Sequence, residues 1–502
     1  MDFDLLCRGF LQVFHVSNLL VVLLGVVGGV VVGALPGLTA TMGVALLVPF
    51  TFGRPVLQSM VMLLGIFCGA IYGGSISAIL IHTPGTPAAA ATVLDGYPLA
   101  LQGKAGKAIR MSTVASGIGG MCGALIMTFL SPPISRAALA FSAPEYFALA
   151  VFGLSIIISV SGRSLVKGLI AGLFGLLLST VGLDPTSGYP RFTFGSMDLY
   201  GGPAFIPTLI GLFALSEVFL NIETLFKAQE VGGRLTDMSL SLKELSPCLK
   251  TIFRSTILGT FIGAVPGAGS DIAAFVGYSE AKRDSKHPEL FGTGTLEGVA
   301  AAEAANNACT GGAMIPMLSL GVPGDAVTAV LLGALILQGL QPGPMLFREH
   351  LDLVYGIFAG MILANLVMFL VGMFGARYVA QIINVDRRIL LPVIFLLSLV
   401  GSFAMRNSLF DVWLALGFGI LGYLMSKYNF PASPILLALI LGPMAESNLR
   451  RTLIMSQGDL RVFGTRPISL VMLGLALVSV VTTLIKEQRA RAALKQAGLR
   501  LQ

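Results

Sequence analysis

Twice in this chain a long apolar run stops at a Pro-Gly pair and then resumes. The first copy reads Gly33-Ala-Leu-Pro-Gly-Leu-Thr-Ala-Thr41 and the second Gly263-Ala-Val-Pro-Gly-Ala-Gly-Ser-Asp271. Proline removes a backbone donor and glycine loosens a helix, so Pro36-Gly37 and Pro266-Gly267 each predict a helix break. Backbone broken at membrane depth is tolerated only where it is buried in protein or lines a wet cavity. Paired interruptions at corresponding positions of two halves point to the binding site of a transporter.

The composition agrees with a membrane setting. The 502 residues are 55% hydrophobic and 11% charged, with a mean hydropathy of +0.87, whereas a soluble domain carries about 25% charged residues. A spanning helix needs about 20 apolar residues, which leaves room for roughly ten to twelve spans in an all-α polytopic protein. The net charge of +7 reads as the basic bias of cytoplasmic loops. No basic stripe with interleaved aromatics supports a nucleic-acid partner. The five cysteines, Cys7, Cys68, Cys122, Cys248 and Cys309, are scattered and form neither a zinc motif nor a disulfide framework. No cofactor is implied. The Asn18 to Leu35 run continues into the Pro-Gly motif, so it does not read as a cleavable signal.

Along the chain, residues 1–17 form a mixed-polarity start. A first membrane repeat is expected over 18–222, a polar linker over 223–253 and a second repeat over 254–446. A loop, a last span and a basic, helix-prone tail from Lys486 occupy 447–502. Val56 to Ile81 is an apolar run ending at His82-Thr-Pro-Gly-Thr-Pro87, and Leu296 to Leu320 is one ending at Gly321-Val-Pro-Gly-Asp325.

The halves match in order. Gly33, Pro36 and Gly37 match Gly263, Pro266 and Gly267 at offset 230; Gly73-Gly74 matches Gly311-Gly312 at 238. Pro84-Gly85 matches Pro323-Gly324 at offset 239, and Leu101-Gln-Gly103 matches Leu337-Gln-Gly339 at 236. Basic residues gather in the later loop of the first half (Lys104, Lys107, Arg110) and in the early loop of the second (Lys282, Arg283, Lys286). That swap is expected if the repeats are inverted.

Four breaks need a purpose. Amides at a half-helix N-terminus make an anion site, and carbonyls at a half-helix C-terminus hold cations. Thr39 and Thr41 follow the first break, Thr83 and Thr86 flank the second, and Ser270 and Asp271 follow the third. Any one hydroxyl more often bonds its own helix; the cluster beside paired breaks reads as functional. Asp271 and Asp325 fit cation ligands or helix caps. Asn306 and Asn307, beyond Glu303, fit cation ligands or interhelical bonds. Glu217 and Asp95 are placed near the interfaces without a role. The sequence carries no GxSxG, HExxH or Walker A motif, so neither an enzyme nor an ATP-driven pump is expected. A channel and a non-transporting scaffold remain as alternatives.

These motifs, with Leu46-Leu-Val-Pro-Phe-Thr-Phe52, Tyr72-Gly-Gly-Ser75, Pro84-Gly-Thr-Pro-Ala-Ala-Ala-Ala-Thr92, Asp95-Gly-Tyr-Pro98 and Pro323-Gly-Asp325, resemble the large membrane subunit of the tripartite tricarboxylate transporters, the TctA family. The resemblance covers about residues 18 to 445; an aspartate at 271 departs from the hydrophobic or small residue expected there. It implies a multi-pass secondary transporter of the bacterial inner membrane, working with a periplasmic solute-binding protein and a small four-helix membrane subunit. Inward movement of a carboxylate would be driven by sodium or protons. The residues expected to hold substrate are Pro36, Gly37, Thr39, Thr41, Thr83, Pro84, Gly85, Thr86, Pro266, Gly267, Ser270, Pro323 and Gly324. Those expected to hold a cation are Asp271, Asn306, Asn307 and Asp325.

Overall fold

A computed structural model describes residues 3–160, 164–184, 187–223, 238–382 and 387–496. The first half opens with α1 (Phe3–Val13) and α2 (Val16–Ala34), breaks, and resumes as α3 (Ala40–Thr51) before α4 (Val56–Ile81). A second break carries one 3-10 turn, Pro87–Ala89, into α5 (Val93–Leu101). Then come α6 (Ala105–Ala138), α7 (Ala143–Val160) and α8 (Leu165–Ser179). A minimal antiparallel ladder pairs Gly182–Leu183 with Pro190–Arg191. The next helix is α9 (Phe205–Leu209) running through a π turn, Ile210–Leu215, into α10 (Ser216–Glu223).

The second half repeats the opening pattern: α11 (Leu242–Leu245), α12 (Leu249–Ala264), a break, α13 (Gly269–Asp284), α14 (Leu296–Leu320), a break, and α15 (Ala326–Leu337). The remainder is α16 (Pro344–Glu349), α17 (Leu351–Ile382), α18 (Arg387–Arg406), α19 (Leu409–Lys427), α20 (Ser433–Met455), α21 (Val462–Thr465) and α22 (Pro467–Gln496). Among the described residues, eight helices are long and apolar enough to cross a membrane, and Ala40–Thr51, Leu165–Ser179 and Ala326–Leu337 are shorter apolar helices. The protein is an all-α polytopic membrane protein. Of the expected linker, 224–237 lies outside the described residues, as does the end of the basic tail, 497–502.

The breaks fall where the Pro-Gly pairs are, and with matching geometry. Leu35 after α2 and Val265 after α12 both have φ −87° and ψ 115°. Gly37 (φ 91°) and Gly267 (φ 85°) follow in the left-handed region, which glycine enters without a Cβ penalty.

The helices on either side touch backbone to backbone. A Cβ on Gly33 would lie 2.2 Å from the Ala70 carbonyl oxygen, and one on Gly263 2.4 Å from that of Cys309. A Cβ on Gly73 would lie 2.3 Å from the Val30 oxygen, and one on Gly312 2.2 Å from that of Thr260. The contacts recur at offset 230 in the leading helix and 239 in the following one. This corrects the sequence match at 238 by one residue. Gly73 corresponds to Gly312, while Gly311 corresponds to Tyr72 and is small for another reason: a Cβ there would lie 2.4 Å from the backbone of Gly123 on α6. With lipid as the alternative environment, such close packing of small residues is what holds helices together.

α4 lies at the centre, with 94% of its most apolar window buried, against 11% for α22, which turns its apolar side chains outward. α6 runs along α14, with Gly119 and Gly123 set against the Ala304 and Ala308 backbone. The end of the expected polar linker is tied down. Ser241 and Glu244 form a capping box, and Lys107 Nζ lies 2.6 Å from Glu244 Oε1. Arg110 donates to the carbonyls of Met238 (3.0 Å) and Met373 (2.6 Å).

Two outcomes follow. Gly33→Ala should destabilise the detergent-solubilised protein by about 1–3 kcal/mol, since the obstruction is backbone. Gly28→Ala, where nothing lies within 4 Å, should stay within about 0.5 kcal/mol in the same thermal melt. The bond from Lys107, with the Ser241 cap, lowers the Glu244 carboxyl to about 2. Its folded value is below its unfolded one, so the contribution is present above the ordinary glutamate range and is lost as pH falls toward 2. Hydrogen exchange of residues 241–248 should rise over that acid window, and Lys107→Met should remove most of the dependence.

Candidate functional site

All four breaks open onto one cavity of about 510 Å³, within the range of small-molecule sites. Its walls are Thr39 to Thr41 after the first break, Thr86 to Ala88 at the second, Gly267 to Ile272 at the third and Asp325 to Val327 at the fourth. Ile71, Phe213, Ser433 and Leu437 close the remainder.

Three helices point their N-termini into it: α3 from Ala40, α13 from Gly269 and α15 from Ala326. The first N–H groups of a helix have no partner within it, and the helix dipole makes that end positive. The first turns are partly capped. Thr39 Oγ1 accepts from Met42 N at 3.1 Å. Asp325 Oδ1 accepts from Thr328 N at 2.7 Å, and Thr328 Oγ1 accepts from Asp325 N at 2.8 Å, a reciprocal capping box. Asp325 therefore caps α15 and lines the cavity at once. Asp271 stands in the first turn of α13 and also lines the cavity. Among the described residues, no Lys, Arg or His lines the cavity.

Two buried hydroxyls on the cavity, Thr86 Oγ1 and Ser270 Oγ, have no hydrogen-bond partner among the described residues. A buried polar group left unpaired is costly, and in native structures it calls for an explanation such as a ligand.

Of the expected substrate residues, Thr39, Thr41, Thr86, Gly267 and Ser270 line the cavity. Pro36, Gly37, Pro84, Gly85, Pro266, Pro323 and Gly324 are not lining residues but shape the breaks. Gly267 N donates to Gly324 O at 2.6 Å and Gly85 N to Gly74 O at 3.2 Å. Gly37 packs against the Asn221 amide. Thr83 is exposed, donates to Ile81 O at 3.2 Å and does not line the cavity.

Of the expected cation residues, Asp271 and Asp325 are brought together on the cavity, whereas Asn306 and Asn307 lie a layer behind. Asn306 Nδ2 donates to Ala88 O at 3.0 Å and to Glu303 Oε1 at 3.3 Å. Its own side-chain oxygen accepts from Asn307 Nδ2 at 2.7 Å.

Sequence reasoning missed Ile71, which reaches the cavity from within α4, and Phe213, Ser433 and Leu437, which reach it from elements with no Pro-Gly break; the π turn that carries Phe213 has no sequence marker. It also gave Asp95 no role. That carboxylate is buried and accepts from the backbone N–H groups of Gly292, Gly294 and Thr295 at 2.8–3.0 Å and from the Tyr278 hydroxyl at 2.9 Å. It ties α5 to the loop that starts α14. Among the described residues no cluster of three His, Cys, Asp or Glu side chains is arranged for a metal.

Fold and cavity together define a multi-pass helical membrane protein whose interrupted helices converge on an interior polar site. Comparison with known families narrows this further. Residues 19–437 match the family model described as the Tripartite tricarboxylate transporter TctA family, and the chain belongs to that family of transporters. It is 39% identical over 487 residues, 97% of each chain, to an Agrobacterium vitis protein described as "Uncharacterized 52.8 kDa protein in TAR-I ttuC' 3'region". A second protein of that organism, "Uncharacterized protein in TAR-II ttuC' 3'region", is 39% identical over 233 residues, 46% of this chain and 96% of its own.

The two threonines should separate in a thermal melt. Thr39→Val loses an N-cap and should cost about 1 kcal/mol. Thr86→Val removes a hydroxyl that makes no bond, so stability should be unchanged within about 0.5 kcal/mol, or increase.

Proposed function

We propose that this chain is the large membrane subunit of a binding-protein-dependent secondary transporter. It imports di- or tricarboxylates such as citrate, driven by a sodium or proton gradient. The observation that carries the reading is the convergence of four breaks, three helix N-termini and two carboxylates on one cavity that no basic side chain lines among the described residues. A substrate carboxylate is held there by amides and hydroxyls, and a co-bound cation offsets its charge.

The repeat gives this site a polarity. At offsets 230 and 239, Thr41 corresponds to Asp271 and Thr86 to Asp325. One half offers neutral hydroxyls where the other offers carboxylates. The substrate carboxylate sits toward Thr39, Thr41 and Thr86, with Ser270 beside them, and the cation sits toward Asp271 and Asp325. Asn306 and Asn307 support the wall of that site. The two units, 18–222 and 254–446, cross the membrane in opposite senses. A periplasmic solute-binding protein delivers the carboxylate, a small four-helix subunit completes the assembly, and the location is a bacterial inner membrane.

Uptake of labelled citrate and other carboxylates into vesicles tests this, with the small subunit present, with and without the binding protein, under imposed gradients. Accumulation should require both the binding protein and a gradient; flux that needs neither indicates a passive pore. Removing one hydrogen bond to a charged substrate costs about 1.5–3 kcal/mol, so Thr41→Ala and Ser270→Ala should each lower uptake about tenfold or more at limiting substrate. Thr83→Ala should behave as wild type. Normal uptake by both of the first two variants, with normal insertion, overturns the site assignment.

A further inference from the structure

Behind the cavity wall lies a carboxylate that the site does not use. Glu303 on α14 is fully buried, and its four side-chain contacts are all with neutral groups. Oε1 accepts from the Thr92 hydroxyl and from Asn306 Nδ2 at 3.3 Å; Oε2 accepts from Ser116 Oγ at 2.9 Å and Ser112 Oγ at 3.2 Å. Nothing in the fold asks for polarity here. At offset 239, Glu303, Asn306, Asn307 and Thr310 correspond to Leu64, Phe67, Cys68 and Ile71 of α4, and those four are buried in the apolar core. The same backbone position is thus filled by hydrocarbon in one half and by an acid in the other.

The surrounding groups are donors, with Asn306 presenting its NH₂ rather than its carbonyl. Such a set suits an anion and not a metal cation, which needs oxygen acceptors. The network also has two consistent proton arrangements on the same heavy atoms. Ser112 Oγ is 2.7 Å from Ser75 Oγ, which is 2.7 Å from Tyr72 O. With Glu303 ionised, Ser75 donates to Ser112 and Ser112 donates to Oε2. With one proton added to Oε2, that O–H donates to Ser112, Ser112 turns to donate to Ser75, and Ser75 donates to Tyr72 O. One O–H bond forms, no other covalent bond changes, and every hydroxyl keeps an acceptor.

We propose that Glu303 is the proton-binding site of this transporter, coupled to the cavity through Thr92 and the Asn306 bridge to Ala88. This rests on the transport reading above. Thr92 follows the 3-10 turn that forms one cavity wall, and Asn306 joins Glu303 Oε1 to the Ala88 carbonyl of that wall. Bonds to an ionised carboxylate are roughly twice as strong as neutral ones, so loading the proton loosens the wall and releasing it tightens the wall.

Most other ionisable groups on the elements packed around α14 have partners elsewhere, and Asp271 of α13 lines the cavity. The Tyr72 hydroxyl of α4 pairs with Thr113, and Arg110 of α6 holds the Met238 and Met373 carbonyls. Asp95 of α5 pairs with Tyr278 of α13. Lys250 and Arg254 of α12 pair with Asp284, and Arg254 also with Glu280. Glu297 of α14 itself accepts from Thr251 and Ser285. Asp325 caps α15. Arg348 and Glu349 belong to α16, which meets the far end of α14 through Gly343 and Leu318.

Infrared difference spectra of the purified full-length chain in lipid, on pH steps from about 5 to 9, read the proton without any substrate. A protonated-carboxyl band should appear on acidification in wild type and be missing in Glu303→Gln. It should return, displaced, in Glu303→Asp and shift in Ser112→Ala. A band that persists in Glu303→Gln, or none in wild type, overturns the proposal. In vesicles with an internal pH dye, citrate-linked proton entry should fall about tenfold in Glu303→Gln relative to Glu303→Asp. Equal proton entry in the two also overturns it. If wild type moves no carboxylate, the transport reading fails, while the spectra still decide whether Glu303 holds the proton.

Discussion

A backbone interrupted inside hydrocarbon has to find partners for the amides and carbonyls that the helix no longer satisfies. Here one break finds its partner in another break and one in the helix that precedes it. Gly267 donates to Gly324 across the second-half breaks, and Gly85 donates to Gly74 at the second break of the first half. Thr39 and Asp325 cap the helices that restart. The second-half breaks are therefore assembled as a pair, and the four breaks meet at an interior cavity faced by polar groups.

Glycine makes that assembly geometrically available. At Gly33, Gly73, Gly263 and Gly312 the neighbouring helix backbone stands where a Cβ would be. α2 is thereby clamped on α4, and α12 on α14, closely enough for one break to reach the other. A methyl group at any of these positions would move a break away from its partner, and its effect would be felt at the cavity as well as in stability. Close packing and site geometry are in this respect one property.

Much of this was legible because the signals were backbone signals. Pro-Gly inside an apolar run can hardly be anything but a break, and α4 and α14 run over the very residues, Val56–Ile81 and Leu296–Leu320, that the apolar runs delimit. What stayed hidden depends on direction rather than identity. Thr83 and Thr86 flank the same Pro-Gly, yet the left-handed turn at His82 leaves Thr83 exposed, and only Thr86 faces the cavity. Asn306 and Asn307 have the polarity of ligands, but helix rotation turns them onto the back of the wall. Phe213 arrives through a π turn that no residue announces. The match of Gly73-Gly74 to Gly311-Gly312 failed by one residue because two glycines can be small for different neighbours.

The halves share their breaks and glycine contacts and differ in the side chains they carry, and three of the differences fall on or just behind the cavity. Thr41 against Asp271, Thr86 against Asp325, and Leu64 against Glu303 each replace a neutral group of the first half by an acid of the second. Duplicated helices packed by the same glycine contacts need the same shapes, so shape explains what is repeated. It does not explain the carboxylates at these three places, two of which, Asp325 and Glu303, are buried at a cost that an apolar or hydroxyl residue avoids. A departure that costs stability without being needed for packing is where function is expected to sit. On the reading proposed above, it makes the second half the side that would handle positive charge, at Asp271 and Asp325 or at Glu303.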